Sequence, residues 1–276
     1  TGPKAGGPNY LPRLMAEKVT PDLADAEDDF SKDTALVSDD KSSKEVDIMM
    51  KAASAVAQDW RLTSLTGRIS AVRQLLAKVA TVDIVDDLAD DLNQTLASAR
   101  SQLIAIEKRL KKPTVLPGPT GESNTLHLEP RGILVTFADK EVMFEYWTLS
   151  IVTALATGNT VISVVSDLFY NEAMEFKEKF ESTGALKGVF QVAKLKHLEA
   201  LLEHPDIAGM VVDSSTSRTT SFVQKMASRD GAILPVITAE HNDNMIQRLL
   251  TEKTISIDTT ASGGNTSLMT LEEDEE

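Results

Sequence analysis

The sequence predicts an α/β protein. Its larger part is a mostly parallel sheet wound on both faces by helices, and a helical region precedes it. Two observations carry this. From Gly132 onward, short runs of Val, Ile, Leu and Phe alternate with amphipathic stretches, the pattern of strands buried on both faces and joined in parallel through helices. From Val46 to Leu110, apolar residues recur at three- and four-residue steps, the period of helices that bury one face. The sheet part is therefore Rossmann-like and doubly wound.

The segment 1–15 is rich in Gly and Pro, with Pro3, Gly6, Gly7, Pro8 and Pro12 around Tyr10. It has no core of its own and needs another surface to lie on. Residues 16–43 are acidic and poor in large apolar side chains, with Glu27, Asp28, Asp29, Asp39 and Asp40, and read as a solvated linker with room for one helical turn. In the helical region 44–112, one stripe runs through Val46, Met49, Met50, Ala53, Ala57 and Trp60. It continues through Leu62, Leu65, Ile69, Val72, Leu75, Leu76 and Val79, with an interruption at Thr63–Ser64 or Thr66–Gly67. Met49, Met50 and the Leu positions are most simply core. A second stripe, Val82 to Leu110, ends in Lys108, Arg109, Lys111 and Lys112, which suit the negative end of a helix dipole, and Pro113 stops it.

Residues 113–269 form the Rossmann-like part. Leu116 to Asn124 is rich in turn residues, and Thr125–Glu129 alternates apolar and polar positions as a strand. Strands follow at Gly132–Phe137, Thr160–Val165, Val189–Val192, Ala208–Val212 and Ala232–Ile237. Helices are expected at Val142–Thr157, Asn171–Ser182, Leu195–Glu203 and Thr216–Ser228, and a last apolar stretch lies at Ile255–Ile257. Residues 270–276 are an acidic tail.

Charge and composition exclude several functions. With 42 Asp and Glu against 28 Lys and Arg, the net charge of −14 opposes a nucleic-acid or anionic-lipid partner. No apolar run reaches the roughly 18 to 20 residues that span a bilayer, so a soluble, cytoplasmic chain is expected. There is no cysteine, which removes thiolate metal sites and every thiol nucleophile from this chain. The four histidines show no metal-ligand spacing, so no metal is expected. His197 and His204, seven apart, read as surface imidazoles near one face of a helix.

A dinucleotide-binding sheet usually offers a Gly-rich turn to the pyrophosphate, and no GxGxxG occurs here. The nearest candidates are Thr157–Asn159 and Asp213–Ser217. Ser, Thr and Asp at a helix start are also ordinary caps, and capping is the simpler reading. Neither Glu240 with Asp243 nor Ser214 with Ser215 belongs to an arrangement that makes a catalytic pair or triad, and Gly121–Asn124 is most simply a turn.

Three motifs resemble one family, that of the bifunctional and trifunctional proline-catabolic enzymes called proline utilization A. Thr1–Leu14 (TGPKAGGPNYLPRL) resembles the end of its glutamate-semialdehyde dehydrogenase module. Leu116–Thr125 (LPGPTGESNT) with Pro130–Gly132 resembles the start of its extra C-terminal domain, and Ile255–Met269 (ISIDTTASGGNTSLM) its terminal motif. The helices around Trp60 and Arg68, and Ala154–Val161 (ALATGNTV), are similar to segments of the wider aldehyde dehydrogenase superfamily.

The resemblance implies a fragment, preceded by a flavin-dependent proline dehydrogenase module and an NAD-dependent aldehyde dehydrogenase module, so that FAD and NAD belong to the parent. This chain would be a degenerate copy of the aldehyde dehydrogenase cofactor domain, binding no cofactor itself. Where active relatives carry a Lys and a Glu for the adenosine ribose, this sequence has Val164 and Asp167, and Ala138–Lys140 stands in place of a Pro-Trp-Asn stretch. Ala239–Glu240 resembles the segment of the family's general base, but a base without a thiol has nothing to activate. Gly158, Asn159 and Asp167 remain as vestigial nucleotide contacts. No catalytic residue is expected.

The implied role is packing against the aldehyde dehydrogenase module of the same polypeptide and helping to enclose the passage of the intermediate. Interface contacts are expected from Gly2, Pro3, Lys4, Gly6, Gly7 and Pro8, and from Ser262, Gly263, Gly264, Asn265, Leu268 and Met269. The alternatives are an NAD-dependent glutamate-semialdehyde dehydrogenase and a vestigial nucleotide-binding module. The resemblance implies that the DNA-binding domain of the family's longest members, which is N-terminal, lies outside the segment represented here, so no nucleic-acid partner is expected. The parent's expected place is the cytoplasm, with a peripheral position at the inner membrane as the variant.

Overall fold

The computed structural model describes residues 3, 4, 6–15, 40–81, 86–139, 143–213, 216 and 218–259. Helices α1 (Tyr10–Met15), α2 (Asp40–Leu62), α3 (Leu65–Val79) and α4 (Asp86–Leu110) come first, followed by β1 (Thr114–Leu116) and β2 (Glu122–Pro130). Then β3 (Ile133–Ala138), α5 (Phe144–Ala156), β4 (Thr160–Val165), α6 (Tyr170–Glu181) and β5 (Phe190–Lys194) alternate. A 3-10 turn (Leu195–His197) leads into α7 (Leu198–Glu203), β6 (Ile207–Val212), α8 (Thr219–Ala227), β7 (Val236–Thr238), α9 (Asp243–Arg248) and β8 (Leu250–Asp258).

The expected doubly wound sheet is present. Its order is β5-β4-β3-β6-β7, with every pair parallel. β3 and β4 are buried at every position, which is why their sequences read as unbroken apolar runs. Alternate side chains serve two layers. Leu134, Val161 and Val165 pack with α3, α4, α5 and α6 on one face. Val135, Phe137, Ile162 and Val164 pack with α7, α8 and the first half of α2 on the other. Trp147 of α5 sits edge-on to Phe169 and Phe176, and its ring N–H donates to Ser163 Oγ at 2.9 Å, so a polar handle deep in the core is satisfied.

α2 reaches from one layer to the other. Val46, Met50 and Ala53 lie in the second layer and Trp60 in the first. The crossing passes Gly188, where a Cβ would come within 3.0 Å of Ala52 O. Of the two interruptions the sequence allows, the chain uses Thr63–Ser64: Ser64 caps α3 by accepting from Gly67 N at 3.1 Å, and Gly67 stays inside the helix.

Several boundaries differ from expectation. α2 begins at Asp40, so residues 40–43, assigned to the linker, are helical. The strand expected at Ala232–Ile237 shrinks to β7. Pro235 has no N–H for a ladder, and it contributes only a carbonyl, to Met210 N at 3.0 Å. Ile255–Ile257 does not extend the parallel sheet. It belongs to the nine-residue β8, which pairs antiparallel with β2 in a separate sheet of order β1-β2-β8. α9, which the periodicity did not suggest, is capped by Asn242 accepting from Met245 N.

Candidate functional site

An open α/β sheet takes ligands at the carboxyl ends of its strands, where neighbouring connections part to opposite faces. Here that point lies between β3, whose connection leads to α5, and β6, whose connection leads to α8 on the other face. Asp139 directly follows β3 and Arg218 immediately precedes α8. Arg218 Nε lies 3.6 Å from Asp139 Oδ2, and the two side chains keep only 18% and 11% of their exposure. The guanidinium also lies over the Phe137 ring, 5.9 Å from its centroid, and Phe137 is edge-on to Phe222 at 4.8 Å. Asp213, 2% exposed, directly follows β6 on the same rim.

Elsewhere along this rim the polar groups are paired with one another. Asp167, after β4, faces Lys194 of β5 at 3.3 Å, and its side chain is 83% exposed. Lys194 in turn lies over the Tyr170 ring. Glu240, after β7, accepts from Thr238 Oγ1 at 2.7 Å and from Asn242 Nδ2, the residue that caps α9. Its carboxylate is thus tied into a turn. α8 starts at Thr219, later than the expected Thr216, and Thr219 Oγ1 donates to the carbonyls of Asp213 and Thr216. Ser214, Ser215 and Ser217 lie outside the described residues.

Of the three vestigial candidates, only Asp167 lies at this end. Gly158 and Asn159 precede β4 and therefore sit at the amino end of the sheet. Asn159 is fully buried. Its Oδ1 accepts from Gly132 N at 3.0 Å, and its Nδ2 donates to Thr157 Oγ1 at 3.0 Å and Leu249 O at 3.1 Å. It thereby ties the start of β3, the α5–β4 turn and the residue before β8. Gly158 has φ +95°, and a Cβ there would meet Arg68 Nε and Cζ at 3.3 Å. Arg68, 8% exposed, spends its donors on carbonyls at helix ends: Ala156 of α5 at 3.1 Å, Arg61 of α2 at 3.1 Å, and Thr63. Burial lowers its pKa from the usual value.

Two contacts were not foreseen. His197 is not a surface imidazole on the same helix as His204. It is buried in the 3-10 turn after β5, while His204 caps the far end of α7. His197 Nδ1 accepts from Lys194 N at 3.2 Å, which leaves Nε2 to donate to Glu45 Oε2 at 2.6 Å, and Lys196 Nζ meets the same oxygen at 2.7 Å. The hydrogen bonds from Lys196 and then His197 hold the Glu45 carboxyl well down, from 4.5 to about 2. No local spacing signals this clip, because Glu45 is distant in sequence.

The second contact involves the opening segment. Lys4 N and Asn9 Nδ2 donate to the two carboxylate oxygens of Glu252 in β8 at 2.6 and 2.8 Å, and Arg109 donates to Asn9 Oδ1 at 2.6 Å. Lys4 and the turn that contains Pro3, Gly6, Gly7 and Pro8 thus lie on this chain's own second sheet. Gly2, Ser262, Gly263, Gly264, Asn265, Leu268 and Met269 lie outside the described residues.

An open groove of about 490 Å³ lies between α2, α3 and Thr183–Leu186, with Asp59 as its one charged side chain. Among the described residues no three His, Asp or Glu side chains converge as metal ligands, and no helix is long and apolar enough to cross a membrane.

The sequence profile of the aldehyde dehydrogenase family matches residues 23–241. The chain is 28% identical over 273 residues to Bifunctional protein PutA of Escherichia coli (strain K12), covering 98% of this chain and 17% of that protein. It is 30% identical over 192 residues to hydroxyisobutyraldehyde dehydrogenase of Mycolicibacterium austroafricanum, covering 63% of this chain and 37% of the other. A crystal structure of a proline utilization A (PutA) variant from Bradyrhizobium japonicum superimposes with TM-score 0.60 at 26% identity, over 71% of this chain and 22% of that one. The similarity to proline utilization A that the motifs suggested is borne out, and the chain spans 17% of the length of its curated relative.

Proposed function

The chain belongs to the aldehyde dehydrogenase family, and from that premise we propose that it is a non-catalytic C-terminal part of a proline-catabolic enzyme. One observation carries the reading: the chain has no cysteine to act as the nucleophile of aldehyde oxidation. Its role is to pack on an NAD-dependent glutamate-semialdehyde dehydrogenase module of the same polypeptide. There it helps to enclose the passage by which the product of proline oxidation reaches that module, since enclosure keeps a reactive aldehyde from bulk water. FAD and NAD belong to the parent polypeptide.

The residues present do not fit a nicotinamide dinucleotide. Val164 occupies the place where a ribose-gripping ammonium would be needed, and it is wholly buried in the sheet's second layer. At the carboxyl ends of β3 and β6 Arg218 is paired with Asp139. In this reading, residues 44–112 and 113–269 pack as a helical and a Rossmann-like part behind the linker. Gly2–Pro8 and the terminal motif 255–269 supply the contacts to the dehydrogenase module.

Two measurements test it. The purified chain mixed with NAD and glutamate semialdehyde gives no rise in NADH absorbance, and an aldehyde-dependent rise overturns the non-catalytic assignment. Deleting residues 255–269 from the parent lengthens the lag of coupled proline-to-glutamate turnover, and an unchanged lag overturns the enclosing role.

A further inference from the structure

The opening segment is too rich in Gly and Pro to build a core, and the structure gives it a specific seat. Lys4 N and Asn9 Nδ2 each donate to one oxygen of the Glu252 carboxylate, at 2.6 and 2.8 Å, and Arg109 Nη2 donates to Asn9 Oδ1 at 2.6 Å. We infer that these four residues are a clasp that receives the end of the dehydrogenase module: Glu252 of β8 and Arg109 of α4 form the docking surface, and the turn carrying Lys4 and Asn9 is the part of the module that fits it. The inference rests on the reading that residues 1–15 end such a module, and it adds the residues of this chain that hold it.

The chemistry of the clasp leaves each group one role. A guanidinium only donates and a carboxylate only accepts, so an amide between them turns its oxygen to Arg109 and its nitrogen to Glu252. Asn9 is thereby a neutral adaptor between a cation and an anion, and an Asp in its place would set two carboxylates against each other. The turn is shaped for the task. Gly7 N donates to Lys4 O at 2.9 Å and Tyr10 N to Gly7 O at 3.1 Å, and these successive turns bring the Lys4 N–H and the Asn9 side chain to the same carboxylate. Gly6 has φ +74°, a conformation that favours glycine, and a Cβ on Gly7 would meet Lys4 O at 3.1 Å. The receiving side is held firmly. Glu252 stands opposite Leu128 in the β2–β8 ladder, and Arg109 lies in the last turn of α4, just after the wholly buried Leu103 and Ile106. Asn9, Arg109 and Glu252 are all half-buried, and hydrogen bonds to a charged group in such a place are stronger than neutral ones at the surface. The clasp therefore ties the segment at once to the helical region and to the second sheet.

The test has two arms. In the 276-residue chain, amide hydrogen exchange is read at Lys4, whose N–H is held by Glu252, with β3 and β4 as the internal reference. Glu252→Gln replaces one of the two acceptor oxygens with an NH2 group, and Lys4 then exchanges at least about tenfold faster while β3 and β4 are unchanged. Asn9→Ala, placed in the segment and away from both core layers, gives the same acceleration, and combining the two substitutions adds nothing further. Wild-type protection of Lys4 in both single variants overturns the clasp. In the parent polypeptide, either substitution lengthens the lag of coupled proline-to-glutamate turnover, while oxidation of proline and of supplied glutamate semialdehyde, each assayed alone, keeps its rate. An unchanged lag together with faster Lys4 exchange overturns the docking role. A rise in NADH absorbance from the isolated chain with aldehyde is the separate result that sinks the non-catalytic reading, and it does not involve Lys4 exchange.

Discussion

The two ends of the parallel sheet have had different fates. At the amino end, Arg68, Gly158 and Asn159 form a buried knot in which the Arg68 and Asn159 side chains hold the backbone of α2, α5, the start of β3 and the residue before β8. At the carboxyl end, the pairs join side chains to each other, Asp139 with Arg218 and Asp167 with Lys194, and the second pair is largely in water. The residues that match the superfamily's ALATGNTV segment lie at the packing end. Val164, Asp167 and Asp139 lie toward the carboxyl end. The amino end is thus closed by bonds that hold backbone in place, and the carboxyl end by pairs of charged side chains.

The contrast is broken most severely at Arg68. Arg68→Ala leaves the carbonyls of Ala156, Arg61 and Thr63 without their donor in a region closed to water, and each such loss costs about 1–3 kcal/mol. A total loss of about 3 kcal/mol, or about 6–12 °C in unfolding midpoint for a chain of this size, is the expected outcome in thermal unfolding. Arg68→Lys should recover little, because one ammonium cannot span three carbonyls on two helix ends. A midpoint within about 2 °C of wild type would mean that the knot contributes little and that the two ends are energetically alike.

Asn159→Ala is the next in size. It orphans the Gly132 N–H and the Leu249 carbonyl, for about 2 kcal/mol. The distinguishing readout is hydrogen exchange. Leu250 and Pro130 pair at one end of the β2–β8 ladder, so faster exchange in that ladder than in β3 and β4 is expected. Uniform acceleration would place Asn159 in the general stability of the chain, not at the junction of the two sheets.

The sequence made the parallel sheet legible because β3 and β4 are buried on both faces and so consist of apolar residues alone. Of β8 it revealed only the Ile255–Ile257 stretch, because Thr251, Glu252, Lys253 and Thr254 belong to an edge strand with little to bury. The contents of the site were legible in part. The absence of a Gly-rich turn and of a Lys beside Asp167 could be read directly, whereas Asp139 with Arg218 and Glu45 with His197 are brought together only by the fold. Single residues such as these carry no period. The vestigial set of Gly158, Asn159 and Asp167 is divided between opposite ends of the sheet, because a short sequence interval can contain an entire strand, here β4.

The smallest expected effect sharpens the comparison at the carboxyl side, where Glu45 of α2 clips onto Lys196 and His197 just after β5. Its carboxyl is held from 4.5 down to about 2, the Lys196 hydrogen bond being the larger cause. A group whose pKa is depressed in the folded chain adds stability above its unfolded pKa and loses it as pH falls toward the folded one. The contribution should therefore be complete above about pH 4.5 and decline between about pH 4.5 and 2. The measurement is the difference in urea midpoint between wild type and Glu45→Gln at successive pH values. The expected result is a constant difference favouring wild type from neutral pH to about pH 5, narrowing below it. Because the carboxyl is partly open to solvent, added salt should also reduce the difference at neutral pH. A difference that grows on acidification would reverse the assigned sign. A neutral-pH difference indistinguishable from zero would make the clip a consequence of how α2 packs against the 3-10 turn, with Val46 and Met50 alone holding that half of the helix.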